Sequence, residues 1–329
     1  MGTFISFLQR AVIQGTPLLY GSMGETLTEK SGNLNLGIPG IMYTGGIFGV
    51  MGAFLYERTL GPQDAANVFL SLFLPLLFAL IGSALMSLIY CFLTISLRAN
   101  QNVTGLAITT FGVGAGNFFG GYLAQFSTDG STGVSITKVS KVFSTPLPFA
   151  ESLGNFGKLF FSYGFLVYTG IIFAIIMSFI LKRTRIGLHL RAVGENPATA
   201  DAAGINVTAY KYGATLIGGM IAGLGGLYYV VDYMGVWSND GFGDRGWLAI
   251  AIVIFTLWKP DFSIIGSFLF GGLYIVYLFI PDLSRSSQEL FKMLPYVVTI
   301  AVLIFTSIKN NKENQPPASL GTNYFREER

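Results

Sequence analysis

Charge is scarce in this sequence of 329 residues: Asp, Glu, Lys and Arg together make up 11%, against about 25% in ordinary soluble domains. Such a chain cannot cover a globular surface with polar groups, so lipid must be part of its solvent. The net charge of +3 is spread over loops and gives no nucleic-acid footprint. The one cysteine, Cys91, lies in an apolar run; it excludes an internal disulfide and a cysteine-rich metal site and reads as a small buried side chain. The one histidine, His189, has no second imidazole with which to build a metal site or a proton relay, so we expect a surface or interface role and no bound metal. No G-x-x-x-x-G-K-[ST] phosphate loop occurs, which removes that route to ATP. Gly241 to Gly246, GFGDRG, matches a dinucleotide fingerprint in form only, because no βαβ unit surrounds it. We read it as a loop turning back toward the membrane, with Asp244 and Arg245 at the water interface. No nucleophile, acid pair or metal cluster suggests a membrane-embedded enzyme. The N-terminus lacks the layout of a signal peptide, and its Met1-Gly2 start has only residue 6 to support myristoylation.

What is abundant is apolar length: 52% of residues are hydrophobic and the mean hydropathy is +0.58. A spanning helix needs about 20 mostly apolar residues. Candidate spans are Phe4 to Leu27 (weakened by Gln9, Arg10 and Gln14), Ile38 to Tyr56, Val68 to Leu97, Val103 to Gln125, Phe160 to Leu181, Val207 to Val231, Phe262 to Ile280 and Leu290 to Ile308. Trp247 to Trp258 is apolar but too short to cross comfortably. Phe126 to Lys158 reads as a long mixed loop, and Lys309 to Arg329 as a polar, disordered tail. The expected architecture is an all-α polytopic membrane protein with roughly eight to ten transmembrane helices, some of them re-entrant or half-helices. We divide it into a transmembrane domain, 1–308, and a polar cytoplasmic tail, 309–329.

Lys and Arg near span ends set orientation. Lys182, Arg183, Arg185 and Arg191 form the densest basic cluster, which places 182–206 inside. Counting outward from there gives about nine crossings and an external N-terminus, with Arg10 pulling the other way. The sequons at Asn102 and Asn206 then fall on the cytoplasmic side and are coincidental.

The chain has 42 glycines, many spaced for close helix contact: Gly45 and Gly49, Gly112, Gly116 and Gly120, Gly219 and Gly223. General membrane packing explains them; a functional reading is that some contacts slide or hinge. Ionisable residues deep in spans, the mark of an ion-coupled carrier, are nearly absent: Asp232 sits at a span end and Lys211 one turn inside another, where it can snorkel. A path for a polar solute would use uncharged groups, with Asn33, Asn35, Gln101, Asn102, Thr104, Thr109, Thr110 and Asn117 as candidates. Capping or interhelical bonding is the competing role for each.

The most patterned polar stretch is 182–206. Gly194-Glu195-Asn196-Pro197 reads as a turn into a short helix, since Pro favours the first helical turn. Ala198 to Ala203 supplies helix formers, and Gly204 stops the helix. Glu195, Asn196, Pro197, Ala198, Thr199, Asp201, Ala202, Ala203 and Gly204 thus form a small-residue surface helix suited to close docking on a partner.

Arg191 to Ile205, RAVGENPATADAAGI, resembles the cytoplasmic coupling segment of permease subunits in bacterial ABC importers, in the family handling branched-chain amino acids, ribose and other simple sugars, and nucleosides. Thr28 to Gly40, TEKSGNLNLGIPG, is similar to that family's segment after the first span, with Lys30, Leu36 and Pro39 as departures. Arg98 to Gly105 and Gly243 to Pro260 resemble further family segments. The likeness runs from about Leu19 to Gly272 and is nearest to the shorter permease of nucleoside importers served by a basic-membrane-lipoprotein type of binding protein. It implies a type II-like importer fold in the bacterial inner membrane and a second homologous permease as heterodimer partner. It further implies a cytoplasmic ATPase that carries ATP and Mg, and an extracytoplasmic substrate-binding lipoprotein. This chain itself would hold no cofactor and do no covalent chemistry. An importer of ribose or galactose, and from another class an ion-coupled secondary transporter, are the alternatives.

Overall fold

The computed structural model describes residues 2–61, 64–126, 133–150, 152–309 and 315–326; the parts of the expected loop and tail at 127–132, 151, 310–314 and 327–329 lie outside the described residues. Helix α1 spans Gly2–Glu29, α2 Ile38–Glu57, α3 Val68–Cys91 with a π-helical continuation to Ser96, and α4 Gln101–Ala124. Strand β1, Val134–Ser135, precedes α5, Thr137–Phe143, and α6, Gly154–Phe161. Then come α7, Phe165–Arg183, the short pair α8, Arg185–Glu195, and α9, Pro197–Ala202, and α10, Val207–Leu227, continued as a π-helix to Met234. Strand β2, Val236–Trp237, pairs antiparallel with β1, and α11 is Arg245–Phe255. The chain continues through α12, Pro260–Ile275, with a 3₁₀ turn to Phe279, α13, Arg285–Lys292, and α14, Leu294–Lys309.

Local signals explain the helix starts. Pro39 sits in the first turn of α2, where its missing N–H is no loss. Asn67, Asn100 and Asn206 cap α3, α4 and α10 by accepting from first-turn backbone N–H groups. Among the described residues, six helical segments are long and apolar enough to cross a membrane: α2, α3, α7, α10, α12 and the α13–α14 stretch. Helices α1 and α4, of 28 and 24 residues, have the length to cross but carry more polar side chains and glycine. The expected all-α polytopic fold is the fold observed.

Helix α2 is the axis of the bundle. Of its apolar window, 83% is buried, against 28% for α3, whose outer face leaves Phe69, Phe73, Ile81 and Leu85 exposed. Glycine is what lets the neighbours of α2 come close. A Cβ on Gly45 would stand 2.5 Å from the Gly223 backbone of α10, and one on Gly112 of α4 2.6 Å from the Gly40 backbone. Gly116 faces the Tyr43 ring and Gly120 the Trp237 indole. The order of these pairs makes α2 and α4 parallel, and the helical spacing of small residues read from the sequence is their shared seam.

Helix α11 is a half-helix. Its 11 residues cover only about 16 Å. It begins halfway along α1, where the Arg245 guanidinium donates to Gln14 Oε1 at 3.0 Å, and ends where the Trp258 indole donates to Glu29. Leu257 and Trp258 close it with φ of 56° and 55°, a left-handed turn that bulky side chains enter only when packing holds them there. Arg245 is therefore not at the water interface as its loop suggested: it is 8% exposed, against the rings of Tyr229 and Tyr274, and only Asp244 beside it is exposed.

The stretch expected to be a long mixed loop contains β1, α5 and α6, and is pinned to the bundle. Val139 N donates to Glu57 Oε1 at 2.7 Å, Lys138 Nζ to Gly61 O at 2.7 Å, and Ile136 N to Gly235 O at 3.1 Å.

Candidate functional site

The basic stretch after α7 folds as two helices at one end of the bundle. Thr184 caps α8 by accepting from Gly187 N at 3.2 Å, an extra helix that the charge of Arg185 and Arg191 hid from sequence reading. Asn196 caps α9 by accepting from Thr199 N at 2.9 Å, Pro197 opens it, and Gly204 ends it at φ +82°. Ala200 is buried among Val193 and Val207. That anchorage turns Ala198, Thr199, Ala202 and Ala203 outward, with Glu195, Asn196 and Gly204 exposed at the ends and Pro197 half-buried. Asp201 points the other way, accepting from Tyr324 Oη at 2.8 Å and pairing with Arg326.

Residues 315–326 are ordered, contrary to the expected disorder, because backbone groups of two loops and of the last turn of α8 are waiting for them. Ser319 N donates to Gly194 O at 3.0 Å and Gly321 N to Gly32 O at 3.2 Å. Ala318 N donates to Glu195 Oε2, and Asn323 Nδ2 to Arg98 O at 2.6 Å. Arg98 lies over the Phe325 ring. The segment is a strap tying α9 to the α1–α2 and α3–α4 connections. Under it, burial pulls the Lys30 ammonium below its usual range, opposed by the charge of Glu195.

Behind the strap lies a buried polar layer that takes in four of the pathway candidates. Asn33 Nδ2 donates to Thr215 Oγ1 at 3.1 Å, Asn35 Oδ1 accepts from Gly37 N, and Gln101 Oε1 accepts from Leu34 N at 2.7 Å. Thr109 Oγ1 donates to Leu36 O at 2.7 Å. These bonds shape the turn from α1 into α2. Thr104 is buried nearby, whereas Asn102 and Thr110 are exposed and belong to neither layer. Asn117 stands apart, nearer the far end of α4. Its Oδ1 accepts from the Tyr43 hydroxyl and its Nδ2 donates to Asp240 Oδ1 at 3.0 Å, while Asp240 N donates to Tyr43 Oη at 2.9 Å. Asp240 adopts φ +57° in the loop that leads into α11, with Trp237 packed on Tyr43. An exposed carboxylate and a half-buried amide are thus brought together at an edge, backed by two aromatic rings that are themselves buried, and the polar pair is suited to hydroxyl recognition.

Sequence reading missed the charge inside the bundle. Glu25, Glu29, Lys211, Asp232 and Arg245 are all at least nine-tenths buried, so embedded ionisable groups are present rather than nearly absent, and Lys211 does not snorkel out. Glu25 Oε1 accepts from Asn35 N at 3.1 Å, while Glu25 Oε2 and Asn35 Nδ2 have no partner among the described residues. The signal available was the four-residue spacing of Glu25 and Glu29, which puts both on one helix face. Trp258→Phe keeps the ring but leaves Glu29 without its indole donor. We expect it to lower stability by about 1–3 kcal/mol, read as an earlier thermal unfolding midpoint of the purified protein; an unchanged midpoint would contradict the bond. Cys91 is buried, as expected, and half-buried His189 meets the Tyr210 hydroxyl at 2.9 Å. Among the described residues no group of three His, Cys, Asp or Glu side chains could hold a metal ion.

These features define a multi-pass helical membrane protein with a half-helix at its centre and an exposed small-residue helix at its basic end. The model for the branched-chain amino acid transport system permease component matches residues 7–303. The chain belongs to that family and is an ABC transporter permease. It is 33% identical over 319 residues to the nucleoside ABC transporter permease protein NupC of Lactococcus lactis, covering 96% of this chain and 95% of that one. It is 33% identical over 300 residues to the guanosine ABC transporter permease protein NupQ of Bacillus subtilis, covering 89% of each. The putative glucose ABC transporter permease protein TsgC13 of Haloferax volcanii is 30% identical over 346 residues, covering 99% of each. No solved structure matches the chain.

Proposed function

We propose that this chain forms the translocation path of an ATP-driven importer of nucleosides in a bacterial inner membrane. The observation that carries the substrate class is the 33% identity, over most of the chain, to permeases named for nucleosides and guanosine. The Asn117–Asp240 pair, backed by the buried rings of Tyr43 and Trp237, is chemically apt for the hydroxyls of a ribose. A simple sugar is the second reading, favoured by the likeness to a putative glucose permease. The chain itself is non-catalytic: a separate cytoplasmic subunit binds ATP with Mg and hydrolyses it. Glu195, Asn196, Pro197, Ala198, Thr199, Ala202, Ala203 and Gly204 dock on that subunit, and Asp201 holds their helix to the strap. A second homologous permease completes the path, and an extracytoplasmic lipoprotein delivers the solute. In this reading 1–308 is the permease domain, and the tail, 309–329, shares the cytoplasmic face.

The path runs from the Asn117 cluster toward the Asn33–Asn35–Gln101 layer. Proteoliposomes holding the two permeases and the ATPase, supplied with binding protein, should accumulate labelled guanosine only when ATP is present. Uptake by this chain alone under an ion gradient would instead make it a secondary carrier, and glucose uptake without guanosine uptake would select the sugar reading. In the same assay Asn117→Ala and Asp240→Ala should each raise KM about tenfold, the loss of about 1.4 kcal/mol of solute binding, with the complex still intact. Unchanged KM in both would move the path away from that cluster.

A further inference from the structure

Beneath the C-terminal strap is a cavity of about 440 Å³, within the range that small-molecule sites occupy. The groups lining it are unbalanced in charge: Lys211, Arg98 and Arg326 face it with Asp201 as the one carboxylate. That carboxylate is already engaged by the Tyr324 hydroxyl and by Arg326 Nε at 3.3 Å. Lys211 is the decisive member. It is 4% exposed, lines the cavity, and has no hydrogen-bond or ion-pair partner among the described residues. An ammonium removed from water without a counter-charge is costly, and its cost falls when an anion enters beside it. The first turn of α10, capped by Asn206, borders the same space. A helix of this length concentrates positive potential and unpaired N–H groups at its start.

We propose that this cavity is a binding site for a phosphate-bearing anion, with Lys211 as its buried anchor, Arg98 and Arg326 as flanking cations and the α10 N-terminus as a further donor. The chemistry is that of a phosphate monoester, whether a free soluble one or the headgroup of an anionic lipid. The strap completes the site, because Tyr324 and Arg326 belong to it. A bound anion would therefore join the strap, the start of α10 and the π-helical end of α3, and through Asp201 would stiffen the seat of α9. The site stands on its own geometry; the substrate carried has no bearing on it.

The test uses the full-length protein in phospholipid-free detergent. One arm titrates inorganic phosphate and a nucleoside monophosphate by calorimetry, with chloride as the ionic-strength control. The other measures retention of short-chain phosphatidic acid against phosphatidylcholine by native mass spectrometry. Saturable binding in the first arm identifies a soluble phosphate, and selective retention in the second a lipid headgroup; either supports the site. Lys211→Met, which keeps side-chain length and suits burial, should weaken binding at least about tenfold. Arg326→Gln, at a largely exposed position that does not threaten folding, should weaken it about threefold. Lys141→Gln, on α5 at the other end of the bundle, should leave it unchanged. No saturable binding in either arm, or binding that survives both Lys211→Met and Arg326→Gln, overturns the proposal.

Discussion

Ala202→Arg is expected to reduce ATP-driven uptake at least about a hundredfold while leaving the protein folded in the membrane. The helix itself should tolerate the change: Arg is a good helix former, and Ala202 lies on the exposed face of α9, away from the Val193–Ala200–Val207 anchor. What changes is the outer surface. Ala198, Thr199, Ala202 and Ala203 present a face of small side chains, and a groove shaped to that face has no room for a guanidinium on a three-carbon stem. A loss of about 2.8 kcal/mol in docking corresponds to a hundredfold, and one badly seated, desolvated cation at an interface centre can cost that much. The measurements are nucleoside uptake in vesicles and co-purification of the ATPase, with membrane abundance as the folding control. Full uptake with Ala202→Arg would remove α9 from the docking surface. If Ala202→Arg fails to assemble while Arg326→Gln on the strap still does, the outer face rather than the strap carries the contact.

The second large effect is expected inside the bundle. Gly45→Val should prevent the protein from accumulating in a folded form, or lower its thermal unfolding midpoint by about four degrees or more, as about 3 kcal/mol of overpacking would do. At this position even a methyl group would stand 2.5 Å from the backbone of Gly223, and a backbone in a packed helix cannot step aside as a long side chain can. Gly121→Val is the matched control. It is also a helical glycine turned into a β-branched residue, but open space surrounds it, so its effect should stay within about 0.5 kcal/mol. Equal behaviour of the two variants, by detergent-solubilised yield and unfolding midpoint, would show that the α2–α10 seam is not closely packed.

Where the physics was local, the sequence was readable. Apolar length placed the third span at Val68 to Leu97, and the helix with its π-helical turn runs Val68 to Ser96. Pro197 and Gly204 bracketed α9 because capping and left-handed termination are decided by a few adjacent residues. The brevity of Trp247 to Trp258 marked the half-helix. What stayed hidden depends on partners distant in the chain. Arg245 looked interfacial because its loop is polar; only the fold brings Gln14, Tyr229 and Tyr274 around it. The strap looked like a disordered tail because its composition is polar, whereas its order comes from carbonyls at Gly32, Arg98 and Gly194. Of the pathway candidates, Asn33, Asn35, Gln101 and Thr109 gather in one layer and Asn117 in another. Asp240 escaped notice because its meaning lies in a carboxylate meeting an amide 123 residues away.

The glycine seams set what kind of movement this chain can make. Where two backbones touch with nothing between them, a slide of even part of a turn would drive a neighbouring side chain into the space that glycine left open. Gly40 against Gly112 and Gly45 against Gly223 therefore act as interlocked teeth, and α2, α4 and α10 must travel as one piece. Under the proposed coupling through α9, a shape change would be absorbed at the edges of that block. The π-helical turns at Phe92–Ser96 and Tyr228–Met234 lie at opposite ends of it, where a widened hydrogen-bond spacing already loosens the helix. The permease is built as a rigid wedge between two soft joints.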